Sequence, residues 1–351
     1  MNQRIDRLRA ELDRLQSASF LVSNAVNVRY LTGFASSNAF VLVKHKDVVL
    51  MTDGRYAEAA QGVEGVDVVL VERDFVSGVA THLPRLADAP VAFEADDLTV
   101  ARHSQLGADG VDLVPTTGVV LGLRAVKEPG ELDSIRRAAR IVDDVLAKLA
   151  GETLAGRTEA EVAWWIVQTI HAEGADSVSF DPIVASGPNA AHPHHHPGAR
   201  RIEAGETVVV DLGAMVDGYC SDCTRTFASG PLPDDLQSAY AVCQSAQAAA
   251  LAEVRTGADP RGLDAIARLE IEASGNDVLH GLGHGVGLEV HELPVLRPSA
   301  AGALLARNVV TIEPGVYLAG RGGVRIEDLV VVTDDGPEVL SNFTKDLVTL
   351  N

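Results

Sequence analysis

Two stretches of this chain, Val208 to Phe227 and Val309 to Val332, share one design: an apolar β-rich run, a turn containing glycine, then a second β-rich run. Segments of this kind read as hairpins. In each, the first arm carries a carboxylate, Asp211 or Glu313, and the second arm carries another, Asp222 or Glu327. The arms are otherwise built largely of Val, Leu, Ile and small residues, so each acid is expected to be buried on at least one side. A buried carboxylate must be paired or bind a metal, because an unpaired charge in an apolar interior is strongly unfavourable. Arg225 and Arg325 are the nearby basic residues, too few for four acids. Any one of these acids alone reads as a solvated strand or turn residue. Together they point to a divalent cation.

The rest of the chain frames these segments. Its 351 residues exceed the roughly 250 to 300 at which one core stops growing, so two domains are expected. Ile5, Leu8, Leu12 and Leu15 recur at helical spacing. Short β-rich runs follow at Phe20 to Val22, Phe40 to Val43, Val48 to Met51, Val66 to Val71, Val91 to Phe93 and Val111 to Val114. The later ones alternate with helical stretches at Asp74 to Leu86 and Thr99 to Leu106, the pattern of an α/β domain with an open sheet. That pattern pauses near Thr116. An amphipathic helix opens after Pro129 and Gly130, with Leu132, Ile135, Ala139, Val142, Leu146 and Leu149 on one stripe. The boundary is placed at Gly122 to Glu128, giving domains of 1–122 and 123–351. Thr158 followed by Glu161 has the form of a capping box opening a helix through Ile170. Helices are expected at Asp234 to Arg255 and Pro260 to Ala273, so the second domain reads as two halves around a pseudo-twofold pair of hairpins.

A candidate nitrogen ligand accompanies the acids. His284 lies in the run His280-Gly281-Leu282-Gly283-His284-Gly285-Val286-Gly287, where backbone can approach a ligand and two imidazoles stand four residues apart. The strand and lysine of a phosphate loop are missing. Two metals bridged by carboxylates with one imidazole among them suit Mn, Co, Zn or Fe better than Ca or Mg. His280 reads equally as a structural histidine or as a support to the site. Arg325, two residues before Glu327, would share its face on a strand and pair with a ligand carboxylate or with substrate.

Charge and cysteine usage narrow the class. A formal net charge of −20 repels nucleic acid and anionic membrane surfaces. Met1 to Arg9 mixes charged and apolar residues with no apolar run behind it, so neither a signal peptide nor a membrane span is expected. Three cysteines, Cys220, Cys223 and Cys243, argue against a disulfide framework and for a reducing compartment, the cytoplasm by default. Cys220 and Cys223 have CxxC spacing without a second pair and read as structural.

Taken in order, these residues resemble the pita-bread metallopeptidases, the family of methionine aminopeptidase, aminopeptidase P and prolidase. Asp211 stands in Val-Val-Asp-Leu-Gly-Ala, Asp222 in Ser-Asp-Cys-Thr-Arg-Thr, His284 in Gly-His-Gly-Val-Gly, Glu313 in Thr-Ile-Glu-Pro-Gly and Glu327 in Val-Arg-Ile-Glu-Asp. Asn27-Val28-Arg29-Tyr30-Leu31-Thr32-Gly33-Phe34 is similar to the N-terminal domain of prolidases and aminopeptidases P, which methionine aminopeptidases lack. The resemblance implies a creatinase-like α/β domain followed by a pita-bread domain with two divalent metal ions, Mn favoured and Co, Zn or Fe compatible. It implies that Asp222 and Glu327 bridge the ions, that Asp211 completes one, and that His284 with Glu313 completes the other.

The resemblance also implies an Xaa-Pro exopeptidase acting on peptides or dipeptides with proline second, and a homodimer. Glu313 would take a proton from the attacking water. His291, in Val-His-Glu-Leu-Pro, would stabilise the oxyanion, and His194, in Ala-His-Pro-His, would hold the substrate backbone or protonate the leaving proline nitrogen. His192, His195 and His196 inherit no role and read as a mobile loop or adventitious metal binders. Many prolidases place an Arg after the His-Glu-Xaa-Pro stretch to clamp a dipeptide's carboxylate, whereas Val295 stands there in this chain. That departure favours an Xaa-Pro aminopeptidase over the alternative, an Xaa-Pro dipeptidase, with Arg297 close enough to keep the second reading open. A metal-free creatinase-like amidinohydrolase or a non-catalytic peptide-binding relative would be expected to have lost ligands, and all five are present.

Overall fold

The structure is a computed structural model describing residues 3 to 350. The chain divides into two compact units, one ending at Arg124 and the other beginning at Ala125.

In the first unit Ile5, Leu8 and Leu12 form the buried stripe of the helix Gln3–Arg14. A six-stranded mixed sheet runs in the order Asp67–Val71, Val48–Asp53, Ala39–Lys44, Ser19–Val22, Val91–Glu94, Leu113–Thr116. Its centre is antiparallel, with Ala39–Lys44 joined to Val48–Asp53 by a hairpin and to Ser19–Val22 through the helix Ala25–Thr32, and its flanking pairs are parallel, joined by helical crossovers. The helix Ala25–Thr32 starts at Asn24, whose side chain accepts from the N–H groups of Val26 and Asn27, and stops at Gly33, where φ is 75°. Only a residue without Cβ enters that conformation cheaply. Buried Glu94 accepts from Ser23 N, Asn24 N and Asn27 Nδ2, which ties this helix to the sheet.

The second unit is built twice over. Each segment expected to be a hairpin is two nested ones. Thr207–Leu212 pairs with Cys223–Ala228 outside, and Ala214–Val216 with Tyr219–Cys220 inside. Val309–Ile312 likewise pairs with Asp328–Thr333 outside, and Gly315–Leu318 with Gly322–Arg325 inside. Each arm is broken because the chain bends at Gly213 in the first segment and at Glu313-Pro314 in the second. A Cβ on Gly213 would collide with the Ser221 carbonyl.

Strand periodicity then sorts the side chains. Val208, Val210 and Leu212 pack under the helices Pro129–Leu149 and Glu159–Ala172, and Val310, Ile312, Val330 and Val332 pack under Asp234–Ala252 and Pro260–Ala273. Truncating buried Leu212 or Ile312 to Ala costs about 2–5 kcal/mol. The alternate residues, Asp211 and Thr224 among them, are left on the opposite face, directly across from each other. Among the described residues no helix is long and apolar enough to cross a membrane.

Candidate metal centre

The acids stand where the nested hairpins break. Asp211 is the penultimate residue of Thr207–Leu212, Asp222 immediately precedes Cys223–Ala228, Glu313 follows Val309–Ile312, and Glu327 precedes Asp328–Thr333. Chain ends of paired strands thus converge from both halves. Ligand oxygens of Asp211, Asp222 and Glu327 all lie within 4.8 Å of one another. His284 Nε2 stands 3.2 Å from Glu313 Oε1 and 3.6 Å from Asp222 Oδ2.

Cations do not balance this crowd. Arg325 reaches Asp211 Oδ2 with Nη2 at 2.7 Å, and Arg225 turns to Asp328 instead. Burial first, then the charges of Glu327 and Asp211, drive the Asp222 carboxyl well above its ordinary range. Burial and the charges of Glu313 and Asp211 do the same to Glu327. Burial also lifts Asp211, against the pull of Arg325. Glu313 goes the other way: burial would raise it, but the hydrogen bond and charge of His284, with His280 and Arg325, bring it down to about 2.

Two observations test the fit of a divalent cation. Asp211 Oδ1 and Glu327 Oε1 are buried and find no hydrogen-bond donor among the described residues. Orphaned buried carboxylate oxygens are costly unless something positive faces them. The second is the orientation of His284. Its Nδ1 lies 3.1 Å from the Gly285 carbonyl, so a ring donating there turns its Nε2 lone pair toward two carboxylates. That is the arrangement of a metal-ligating imidazole held by a backbone carbonyl. The donor set of carboxylates and one imidazole fits a transition-metal ion.

Around this cluster the structure places the other expected residues. The His291 ring lies against that of His284, centroids 4.3 Å apart, and is exposed. Arg325 also donates to Thr224 Oγ1, Tyr317 Oη and the Pro193 carbonyl, leaving it 3% exposed and fully engaged. His280 hydrogen-bonds Tyr317 Oη at 2.8 Å through Nε2 and the Gly281 carbonyl through Nδ1, and burial pushes its pKa down. His194 is exposed on the loop whose Pro193 carbonyl Arg325 holds, within electrostatic range of His280 and His291. Val295 pairs directly with His284, so their side chains share a sheet face.

Three residues in these contacts went unread in the sequence. Thr224 donates to Glu327 Oε2 at 2.7 Å, and its place two residues after Asp222 was the available signal. Tyr317 offered none. Glu159 lay hidden beside the capping box and holds His195, which is therefore not a free loop imidazole. Cys220, Cys223 and Cys243 are free and buried, and burial drives the Cys243 thiol up to about 12.

The chain is similar to known proteins in both sequence and structure. Residues 133–334 match the description Metallopeptidase family M24, and residues 4–126 match Creatinase/Prolidase N-terminal domain. A Mycobacterium tuberculosis protein named Probable dipeptidase PepE is 40% identical over 270 residues, 76% of this chain and 72% of that one. A solved structure described as Xaa-Pro dipeptidase from Bacillus anthracis superposes with a TM-score of 0.95 at 35% identity, covering 99% of both chains. One described as X-Pro aminopeptidase from Thermotoga maritima gives 0.87 at 31%, covering 96% of this chain and 99% of that one.

Proposed function

The chain belongs to metallopeptidase family M24, whose members use divalent metals, and from that membership we propose that it is an Xaa-Pro aminopeptidase, releasing an N-terminal residue from a peptide whose second residue is proline. The observation that carries the reading is the pair of orphaned carboxylate oxygens, Asp211 Oδ1 and Glu327 Oε1, in a cluster of acids facing one lone-pair-presenting imidazole. Asp211, Asp222, His284, Glu313 and Glu327 would hold two divalent ions, Mn first among them. Bound there, the ions supply Lewis acidity to the scissile carbonyl and lower the pKa of the attacking water.

The chain's own residues do the rest. Glu313, held by Thr311 Oγ1 at 3.0 Å and facing His284, receives the water's proton. His291 donates to the oxygen that gains charge as the carbonyl is attacked. His194 holds the substrate backbone or helps pass to the departing proline nitrogen the proton that Glu313 took from water. Arg325 keeps Asp211 in place and supports the His194 loop through the Pro193 carbonyl.

A second reading, Xaa-Pro dipeptidase, is favoured by the name of the Bacillus anthracis relative, and the Mycobacterium tuberculosis relative is named a probable dipeptidase. It needs a cation for the dipeptide's terminal carboxylate. Arg325 is already committed, and Val295 occupies the face of His284 where a clamp would be useful. A charge-assisted hydrogen bond to that carboxylate is worth about 1.5–3 kcal/mol, or roughly ten- to a hundredfold in kcat/KM. The Mn-loaded enzyme is therefore expected to cleave an Xaa-Pro-Yaa tripeptide at least as well as the matching Xaa-Pro dipeptide. A preference of roughly tenfold or more for the dipeptide would make Arg297 the candidate clamp and the chain a dipeptidase.

A further inference from the structure

Outside the carboxylate cluster one acid gathers far more donors than its neighbours. Glu159, the first residue of the helix Glu159–Ala172, is 0% exposed. Its Oε1 accepts from Ser186 N and Ser186 Oγ at 2.8 Å and from Asn189 Nδ2 at 3.1 Å. Its Oε2 accepts from Asn189 Nδ2 at 3.2 Å and Gly198 N at 3.3 Å, and stands 2.8 Å from His195 Nε2. Burial alone would raise this carboxyl, but hydrogen bonds from His195, Ser186 and Asn189 outweigh it and leave it below the ordinary carboxylate range.

All of these donors belong to the single loop 186–198. The backbone repeats the pattern, with Glu159 N donating to Arg200 O and Ala160 N to Gly198 O. On its other side the loop is held by Arg325 at the Pro193 carbonyl, and by Gly323, where any Cβ would strike the Ala190 carbonyl. His194 is thus clamped between two fixed neighbours. Pro193 is tied to the arginine that pairs with Asp211, and His195 is tied to Glu159.

We propose that Glu159 is a positioning residue for catalysis, fixing the loop 186–198 through Asn189, His195 and Gly198 so that His194 is presented to the substrate. The proposal rests on the reading of His194 given above. A buried acid could hold a loop for stability alone, and the two roles differ in whether the effect passes through His194.

Glu159→Gln keeps the shape but substitutes an N–H donor for one acceptor. His195 can answer by changing tautomer, whereas the backbone N–H groups of Ser186 and Gly198 cannot. The experiment is a double-mutant cycle of Glu159→Gln and His194→Ala, reading kcat and KM on an Xaa-Pro-Yaa peptide, bound Mn, and amide hydrogen exchange across 186–198. Expected is a fall in kcat/KM of about ten- to a hundredfold for Glu159→Gln alone, with unchanged Mn content and faster exchange confined to the loop. In the His194→Ala background the same substitution should cost no more than about twofold, because coupled residues are non-additive. His195→Ala, at a half-buried position, should reproduce the pattern more weakly and serves if Glu159→Gln does not fold. Equal losses in both backgrounds, or no loss in the first, overturn the proposal. An undiminished His194→Ala enzyme overturns the reading of His194 and the proposal with it.

Discussion

Glu327 and Asp328 are successive residues, 1% and 0% exposed, yet their surroundings are opposite. Asp328 faces Arg225 Nη2 at 3.0 Å, Gln247 Nε2 at 2.9 Å and Lys345 Nζ at 2.6 Å, so two cations and an amide saturate it. Glu327 has a threonine hydroxyl on one oxygen and nothing among the described residues on the other. The strand paired to Thr207–Leu212 repeats the contrast, with Thr224 on the side of Glu327 and Arg225 on the side of Asp328. Alternation along extended chains therefore builds two charged clusters back to back, one closed upon itself and one left open. Of these two neighbours, Asp328 is marked as structural by its completed partners and Glu327 as a candidate ligand by the partner it lacks.

The largest effect should separate the two at once. Glu327→Gln, or Asp222→Asn, is expected to lower kcat/KM by more than about a thousandfold, since each removes a charge that a bound ion would need. The metal-free variant should melt no lower than metal-free wild type, because like-charge crowding is relieved. Activity retained within about tenfold would count against Glu327 as a ligand.

Asp328→Asn tests the closed cluster. Removing that charge strands the buried Arg225 and takes a partner from half-buried Lys345, and breaking a buried pair such as Arg225 with Asp328 costs about 3–5 kcal/mol. Urea titration should show the loss, while the protein that remains folded keeps wild-type affinity for Mn. A weakened Mn affinity at full folding would show that the clusters are not independent.

Metal loading should distinguish them a third way. An ion that binds the folded cluster and not the unfolded chain adds about 2.7 kcal/mol at a hundredfold excess over Kd, or roughly 5 to 10 °C for a unit of this size. Wild type and Asp328→Asn are expected to show that shift by calorimetry with and without Mn, and Glu327→Gln to lose most of it. A wild-type Tm indifferent to saturating Mn would argue that the open cluster holds no native ion.

The open cluster was legible in the sequence and the closed one was not. Asp211, Asp222, Glu313 and Glu327 stand as acids in apolar runs, a local contradiction that periodicity exposes without a structure. His284 is marked by the glycines around it, and the first-unit strands by their Val-rich runs. Asp328 follows Glu327 in the same kind of run, but its meaning depends on Gln247 and Lys345, which come from a distant helix and the C-terminal segment. Glu159 is similar: its partners lie 27 to 39 residues ahead, and the adjacent capping box, present as expected, accounted for the local pattern. Single hairpins became nested ones because the bends at Gly213 and Pro314 depend on carbonyls and side chains that meet only in the fold.

Thr224 gives the smallest and sharpest test, because it lies between Glu327 and Arg325 without carrying charge. Its hydroxyl donates to Glu327 Oε2 at 2.7 Å and accepts from Arg325 Nε at 3.1 Å, and the residue is 0% exposed. Thr224→Val preserves volume while deleting both bonds, so Glu327 keeps its charge and loses its orientation. Groups that orient a ligand in this manner are worth about ten- to a hundredfold in metal affinity. Titration calorimetry of the metal-free variant is expected to show Mn binding weakened by that factor, with the fold intact and its stability reduced by about 1–3 kcal/mol for the orphaned groups. Gln247→Leu makes the equivalent deletion beside Asp328, and there the stability cost should come with no change in Mn affinity. If Thr224→Val binds Mn as wild type does, Glu327 is held by the strands alone, and its carboxylate owes its geometry to backbone rather than to its one completed hydrogen bond.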